Sequence, residues 1–198
     1  MMRTTGDILR TIQGGDVEPV YFLLGEEYYL QHLIIEHIGK AIFGESKQNK
    51  TLLLPDELSN KEIIDQLTQA DLFSSKKLFI LRNPAALRNK YREELLDYCR
   101  NPLQNHNLII IEDDYGDRKA MTKDLKKNID TISVQIPFTN EMKKWTRFFL
   151  KEKNLLAAEN VIDVLIEIEG DSVYHIANEV EKVSRNVTDD GTVTLDMI

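Results

Sequence analysis

Val20-Tyr21-Phe22-Leu23-Leu24 is an unbroken apolar run that stops at Gly25. A strand with no polar alternation leaves neither face for water, which is the pattern of a parallel sheet covered on both sides. Similar short runs recur downstream: Leu52-Leu53-Leu54 before Pro55, Leu78-Phe79-Ile80-Leu81 before Asn83-Pro84, and Leu108-Ile109-Ile110-Ile111. Ile132, Val134 and Ile136 alternate with polar residues, a fifth strand with one wetter face that suits a sheet edge. Helical patterns separate the strands. Ile8, Leu9 and Ile12 mark a first helix over Thr4 to Ile12, stopped by Gly14-Gly15. Leu30, Leu33, Ile34, Ile38 and Ile42 predict a second, amphipathic one over Tyr28 to Phe43. Leu58 to Leu67 is a third, where Ser59 and Glu62 form a capping box. Leu87 to Cys99 and the basic stretch Arg118 to Lys127 complete the set. Alternation of this kind predicts an open α/β domain with a parallel five-stranded sheet and right-handed crossovers.

The pattern changes after Pro137. Glu141 to Lys151 reads as a helix with Trp145, Phe148 and Phe149 inward, and Ala158 to Glu169 and Ser172 to Arg185 as two more. No strand pattern falls between them. The expected organisation is an α/β domain over 1–138 and a small helical domain over 139–198. The last residues, Thr192-Val193-Thr194-Leu195-Asp196-Met197-Ile198, read as an extended piece leading into a further helix N-cap. A longer parent chain is expected from that unfinished pattern.

The 198 residues carry 25 Lys and Arg against 33 Asp and Glu, a net charge of −8. That balance opposes indiscriminate binding to nucleic acid, which needs surplus cations. The charge is unevenly spread, with residues 117–153 at +5 against acidic flanks. Lys119, Lys123, Lys126 and Lys127, followed by Lys143, Lys144 and Arg147, form a candidate face for DNA or an acidic partner. A solvated helix surface is the other explanation. One cysteine, Cys99, fits a reducing compartment and predicts a packed, unactivated thiol. No apolar run reaches the roughly 20 residues of a membrane span and no signal peptide opens the chain, so a cytoplasmic location without membrane contact is expected.

Catalytic patterns fail on their missing parts. A phosphate loop belongs after the first buried strand, with a second Gly and a Lys to meet the phosphates. What stands there is Gly25-Glu26-Glu27-Tyr28-Tyr29-Leu30, lacking both and adding negative charge. Glu112-Asp113-Asp114 after the fourth strand mimics a Walker B ending. Without phosphates to complete a Mg²⁺ shell, these acids are expected to be solvated. An active ATPase using Asp113 or Asp114 is the disfavoured alternative. His32 and His37 lie five apart, about 140° round a helix, which is wrong for a shared metal. Ser46 lacks the glycine frame of a nucleophile elbow, and His175 has no visible triad. No cofactor or metal is expected.

Gln69-Ala70-Asp71-Leu72-Phe73-Ser74-Ser75-Lys76-Lys77 is the informative connection. Leu72 and Phe73 are adjacent large apolar residues in polar surroundings. In extended chain, neighbours point to opposite sides, so one of the pair tends outward. They either plug the gap between helix and sheet or form an exposed knob that enters a partner's pocket, where each contributes about 1.5–3 kcal/mol.

Four stretches together resemble the delta subunits of bacterial DNA polymerase III, components of the clamp loader. They are Val20 to Glu27 with Tyr29-Leu30; Leu72 to Leu78 with Arg82-Asn83-Pro84; Asp117-Arg118-Lys119 with Leu125-Lys126-Lys127; and Gly170-Asp171 to Glu181-Lys182-Val183 followed by Val193-Thr194-Leu195. The likeness runs the length of the chain. It implies an AAA+-type α/β domain with a degenerate nucleotide site, then a helical lid. It also implies a third, helical collar domain, which this sequence stops short of, that assembles the loader. In the family a Leu-Phe pair enters a pocket on the ring-shaped sliding clamp, so the resemblance assigns Leu72, Phe73 and the preceding Gln69 to clamp binding. The implied partners are the beta sliding clamp, the gamma/tau and delta prime loader subunits, and DNA only within the assembled loader. The implied role is opening the clamp for loading onto primed DNA in replication. No catalysis is expected of the chain itself, although the holoenzyme is a DNA-directed DNA polymerase, a nucleotidyltransferase. Nucleoid association follows from the same likeness.

Overall fold

In a computed structural model, residues 1–46, 49–70, 76–114, 119–169, 172–187 and 191–198 are described. The chain divides into two compact units, Met1–Gln135 and Ile136–Ile198.

In the first unit, strand β1 (Met2–Thr4) leads into helix α1 (Thr5–Gln13), then β2 (Val20–Leu24), α2 (Tyr28–Phe43) and β3 (Lys50–Leu53). Next come α3 (Asn60–Thr68), β4 (Lys77–Arg82), α4 (Lys90–Arg100), β5 (His106–Glu112), α5 (Ala120–Asn128) and β6 (Thr131–Ser133). The strands form one sheet in the order β1-β6-β2-β5-β4-β3, with every pairing parallel. Val20, Phe22, Leu24, Phe79, Leu81, Leu108 and Ile110 pack with Ile63, Leu67, Leu95, Leu96 and Leu125 of α3, α4 and α5 in one core. Their alternates Tyr21, Leu23, Ile109 and Ile111 are buried as well, on the side of α1 and α2, which pack on each other. Double-sided burial is what the apolar runs predict; the run at Leu52 departs from it, because β3 is an edge strand and Leu52 is exposed.

The sheet has six strands, not five. Met2, Arg3 and Thr4 pair with Thr131, Ile132 and Ser133, so the strand expected at the edge lies between β1 and β2. It also ends at Ser133, leaving Ile136 exposed. β1 has no apolar alternation to betray it. Backbone pairing and polar anchors hold it instead: Thr131 N–H donates to the Met1 carbonyl at 2.9 Å, and Arg3 pairs with Glu18.

Helix boundaries follow local chemistry. Ser59 caps α3, and its reciprocal bonds with Glu62 complete the predicted capping box. The helix predicted from Leu87 begins later, at Lys90, because Asn89 takes a positive φ of 54°. Cys99 lies half-buried against the core, where burial pushes its thiol pKa up to about 12. A thiol so raised carries almost no thiolate at neutral pH.

The second unit contains α6 (Thr139–Glu152), β7 (Leu156–Ala157), α7 (Glu159–Glu169), α8 (Val173–Ser184) and β8 (Thr192–Val193). β7 and β8 form a short parallel pair; β8 falls on the extended piece expected at Thr192-Val193, whereas the helical reading missed β7. Met142, Phe149, Val161, Ile162, Leu165, Ile176 and Val180 are buried, whereas Trp145 and Phe148 are half-buried. The basic face of α6 meets acids of its own unit. Lys143 pairs with Asp163, both Glu159 carboxylate oxygens accept from Arg147 at 2.7 Å, and Lys153 pairs with Glu181. Part of the charge segregation in the sequence is therefore internal pairing.

Candidate functional site

A parallel sheet has two chemically different rims. At the carboxyl rim, where this architecture places phosphate ligands, the loop after β2 is already committed. Gly25 N–H donates to the Glu112 carbonyl at 3.0 Å, and Glu27 N–H to the Val134 carbonyl at 2.9 Å. The Glu27 carboxylate accepts from Tyr29 N–H at 3.0 Å, putting the chain's own anion on the N-terminus of α2.

Beside that loop lies a polar network joining Gln31, Arg82 and Asp113. Gln31 is 0% exposed. Its amide nitrogen donates to the Gly25 carbonyl and to Asp113 Oδ1, both at 2.8 Å. Its amide oxygen accepts from Arg82 at 2.7 Å. Arg82 also pairs with Asp113 at 3.5 Å and lies 5.5 Å over the Tyr28 ring. Buried amides need such partners, because each lost bond costs about 1–3 kcal/mol. The expectation of solvated acids is corrected at Glu112, which is 2% exposed and accepts from Lys119 Nζ at 2.8 Å. Among the described residues no cluster of three His, Cys, Asp or Glu could hold a metal. His32 is exposed, and His37 Nδ1 sits 2.8 Å from the Leu33 carbonyl one turn back. His175 is exposed and lies 3.8 Å from Glu169.

Gln31 and Arg82 were not singled out as site residues by sequence reasoning. The available signal was a glutamine three residues before Ile34 on the apolar stripe of α2, a position that packing alone would fill with a hydrocarbon.

The amino rim carries the other candidate. Helix α3 ends at Thr68, and Gln69 and Ala70 follow in solvent. Gln69 N–H donates to the Asp65 carbonyl at 2.9 Å, and its ψ of 108° turns the chain out of the helix. Leu72 and Phe73 lie outside the described residues. The chain is next described at Lys76, whose Nζ donates to the Ile42 carbonyl at 2.9 Å before β4 begins.

The basic candidates fall along α5. Lys119 flanks its start, and Lys123, Lys126 and Lys127 follow at intervals of four, three and one residues. Such spacing keeps them on neighbouring sides of one helix over about 12 Å. Lys119 is engaged by Glu112 and lies 3.9 Å from Asp114, while Lys127 pairs with Asp124 at 3.5 Å. Lys123 is exposed and Lys126 half-buried. Among the described residues no helix is long and apolar enough to cross a membrane.

The family model for "DNA polymerase III, delta subunit" matches residues 21–135, more than half of the chain. The chain belongs to the DNA polymerase III delta subunit family. Among curated relatives, DNA polymerase III subunit delta of Bacillus subtilis is 21% identical, over 96% of this chain and 58% of its own length. The probable DNA polymerase III subunit delta of Aquifex aeolicus is 25% identical, over 91% and 54% respectively. This delta-family chain thus spans a little over half the length of those relatives. Among solved structures, the Bacillus subtilis DNA clamp loader delta protein superposes with a TM-score of 0.76 at 20% identity, covering 98% of this chain and 60% of that one. A RuvB variant of Thermotoga maritima reaches 0.50 at 12% identity, covering 96% and 64%. These structural likenesses concern the fold, which is AAA+-type α/β with a parallel sheet.

Proposed function

We propose that this chain is the clamp-gripping portion of a clamp-loader delta subunit, which binds the beta sliding clamp and helps open its ring for loading onto primed DNA during replication. Family membership supplies the subunit. The supporting observation at the site is that α3 ends with Gln69 turned into solvent, at the first position of the Gln-x-x-Leu-Phe pattern. Leu72 and Phe73 would enter an apolar pocket on the clamp, with α3 contacting the clamp beside it. Docking opens a ring only by the difference in affinity between its open and closed shapes. The longer relatives' additional length would hold the collar that joins the gamma/tau and delta prime subunits, and the nucleotide energy would come from those partners. The place of action is then the cytoplasm, at the nucleoid. Domain roles follow: 1–138 grips the clamp and 139–198 serves as the lid. The direct test is pull-down of purified clamp by this chain and its loss in Leu72→Ala/Phe73→Ala.

The engaged backbone of the loop after β2, with Glu27 at the N-terminus of α2, supports a subunit that takes no nucleotide of its own. Titration calorimetry with Mg·ATP is expected to give no saturable heat, and 1 mM ATP no change in Tm. A site with a Kd near 0.1 mM would instead add about 1.4 kcal/mol at that concentration, a rise of roughly 3–5 °C. Such a rise would restore the ATPase reading through Asp113 or Asp114.

A second reading, contact with DNA through α5, is favoured by the alignment of Lys119, Lys123, Lys126 and Lys127. Lys119 and Lys127, at least, are already paired with acids, which lowers the net positive charge offered to phosphate. The chain alone is expected to bind primed DNA weakly, with a log–log salt slope no steeper than about −2. A slope near −4 with tight binding would make DNA a primary ligand of this chain.

A further inference from the structure

We propose that His106 and Lys76 are positioning residues of the clamp-contacting rim, each pinning a helix C-terminal carbonyl so that the two chain ends flanking residues 71–75 are set before the clamp arrives. The inference rests on the clamp-binding reading of that rim.

The last turn of any helix leaves carbonyls with no partner inside the helix. In α3 one of these is the Leu67 carbonyl, and His106 Nδ1 lies 3.3 Å from it. A carbonyl only accepts, so Nδ1 carries the hydrogen in this contact. His106 is 3% exposed at the first position of β5. Its ring stands edge-on to Phe79 of β4, with centroids 5.3 Å apart and planes at 67°. The imidazole is thus wedged between a strand and the helix that presents Gln69. A phenyl ring would fill the same volume but would leave the Leu67 carbonyl without this donor.

The returning end is tied in the same way. Lys76 Nζ donates to the Ile42 carbonyl in the last turn of α2 at 2.9 Å. The next residue, Lys77, gives its N–H to the Asn105 carbonyl at 3.0 Å. Asn105 holds a positive φ of 68° immediately before His106. Departure and return of the connection are therefore both referenced to the start of β5. Fixing the ends of a binding segment in advance lowers the ordering cost of association. That gives a buried polar ring a function beyond packing.

The test compares His106→Leu, His106→Asn and Lys76→Met with the unmodified chain. It reads clamp affinity by calorimetry and amide hydrogen exchange at Gln69. Loss of one pinning hydrogen bond is expected to weaken clamp binding roughly 3- to 10-fold in His106→Leu and to speed exchange at the Gln69 amide. His106→Asn, which can place an N–H near the Nδ1 position, should return affinity to within about twofold, a rescue that simple core filling would not produce. Lys76→Met should weaken binding by a smaller factor, roughly 2- to 5-fold. Unmodified affinity in both His106→Leu and Lys76→Met, while Leu72→Ala/Phe73→Ala loses the clamp, overturns the positioning role and leaves the clamp reading intact. So does failure of His106→Asn to recover what His106→Leu loses. If His106→Leu does not fold, Lys76→Met decides alone. Unchanged clamp affinity in Leu72→Ala/Phe73→Ala takes down the clamp reading itself, and the positioning role with it.

Discussion

Leu72→Ala/Phe73→Ala is expected to lose the clamp by about 10²- to 10⁴-fold in affinity. The figure follows from removing two large apolar side chains worth about 1.5–3 kcal/mol each on full burial, at about 1.4 kcal/mol per factor of ten. Adjacent anchors of this kind dominate an interface, while the contacts around them mainly exclude water. Gln69→Ala should cost less, roughly 2- to 10-fold, since one polar contact at a rim is worth about a single net hydrogen bond. The same variants report on the fold. If Leu72 and Phe73 stand in solvent, truncating both leaves the urea midpoint within about 0.3 M of the unmodified chain, given surface effects under about 0.5 kcal/mol. If they plug the gap between α3 and β4, the midpoint falls by well over 1 M. Retained clamp affinity in a folded double variant would refute the proposed grip.

Gly25→Ala is expected to destabilise the first unit by about 2–4 kcal/mol. Gly25 holds a φ of 134°, a conformation costly for a residue with a side chain. A Cβ there would sit 2.6 Å from both the carbonyl carbon and oxygen of Val134, and 2.8 Å from the Gln135 nitrogen. These obstacles are backbone and cannot rotate aside. Relief requires the exit of β6 to move away from β2, against the Val134 N–H to Leu24 carbonyl bond of 3.0 Å. Urea unfolding followed by far-ultraviolet circular dichroism should show the midpoint lowered by ~1–2 M at an unchanged slope. An unmoved midpoint would mean that the loop relaxes without cost and that the close approach has no structural weight.

Legibility of the fold tracked how apolar burial is written into the chain. β2, β4 and β5 are covered on both faces, and their uninterrupted Val, Leu, Ile and Phe runs announce this. The capping box of α3 was readable because Ser59 and Glu62 act within one turn. β1 left no such mark, since Met2, Arg3 and Thr4 at the sheet edge are held by backbone pairing and carry no buried stripe. β7 is two residues long, too short for any periodicity to register. At the carboxyl rim, the missing Lys and Gly of a phosphate loop were plain in Gly25 to Leu30. The replacement was not. Gln31, Arg82 and Asp113 come from α2, the end of β4 and the residue after β5, and only tertiary structure joins them. His106 was hidden for the same reason, because its partner carbonyl is 39 positions away in sequence. The Gln69, Leu72 and Phe73 assignment came from resemblance; composition alone left the knob and the plug open.

The shared direction of all six strands also bears on how such a chain can change over time. Gly25, Arg82 and Glu112 leave the sheet at one rim, while Gln69, Lys76 and His106 stand at the other, a strand's length or about 20 Å away. Substitutions more than about 10 Å apart without common contacts combine almost independently. Substitutions around Gly25, Arg82 and Glu112 can therefore accumulate with little effect on Gln69, Lys76 and His106, and each rim is open to change on its own.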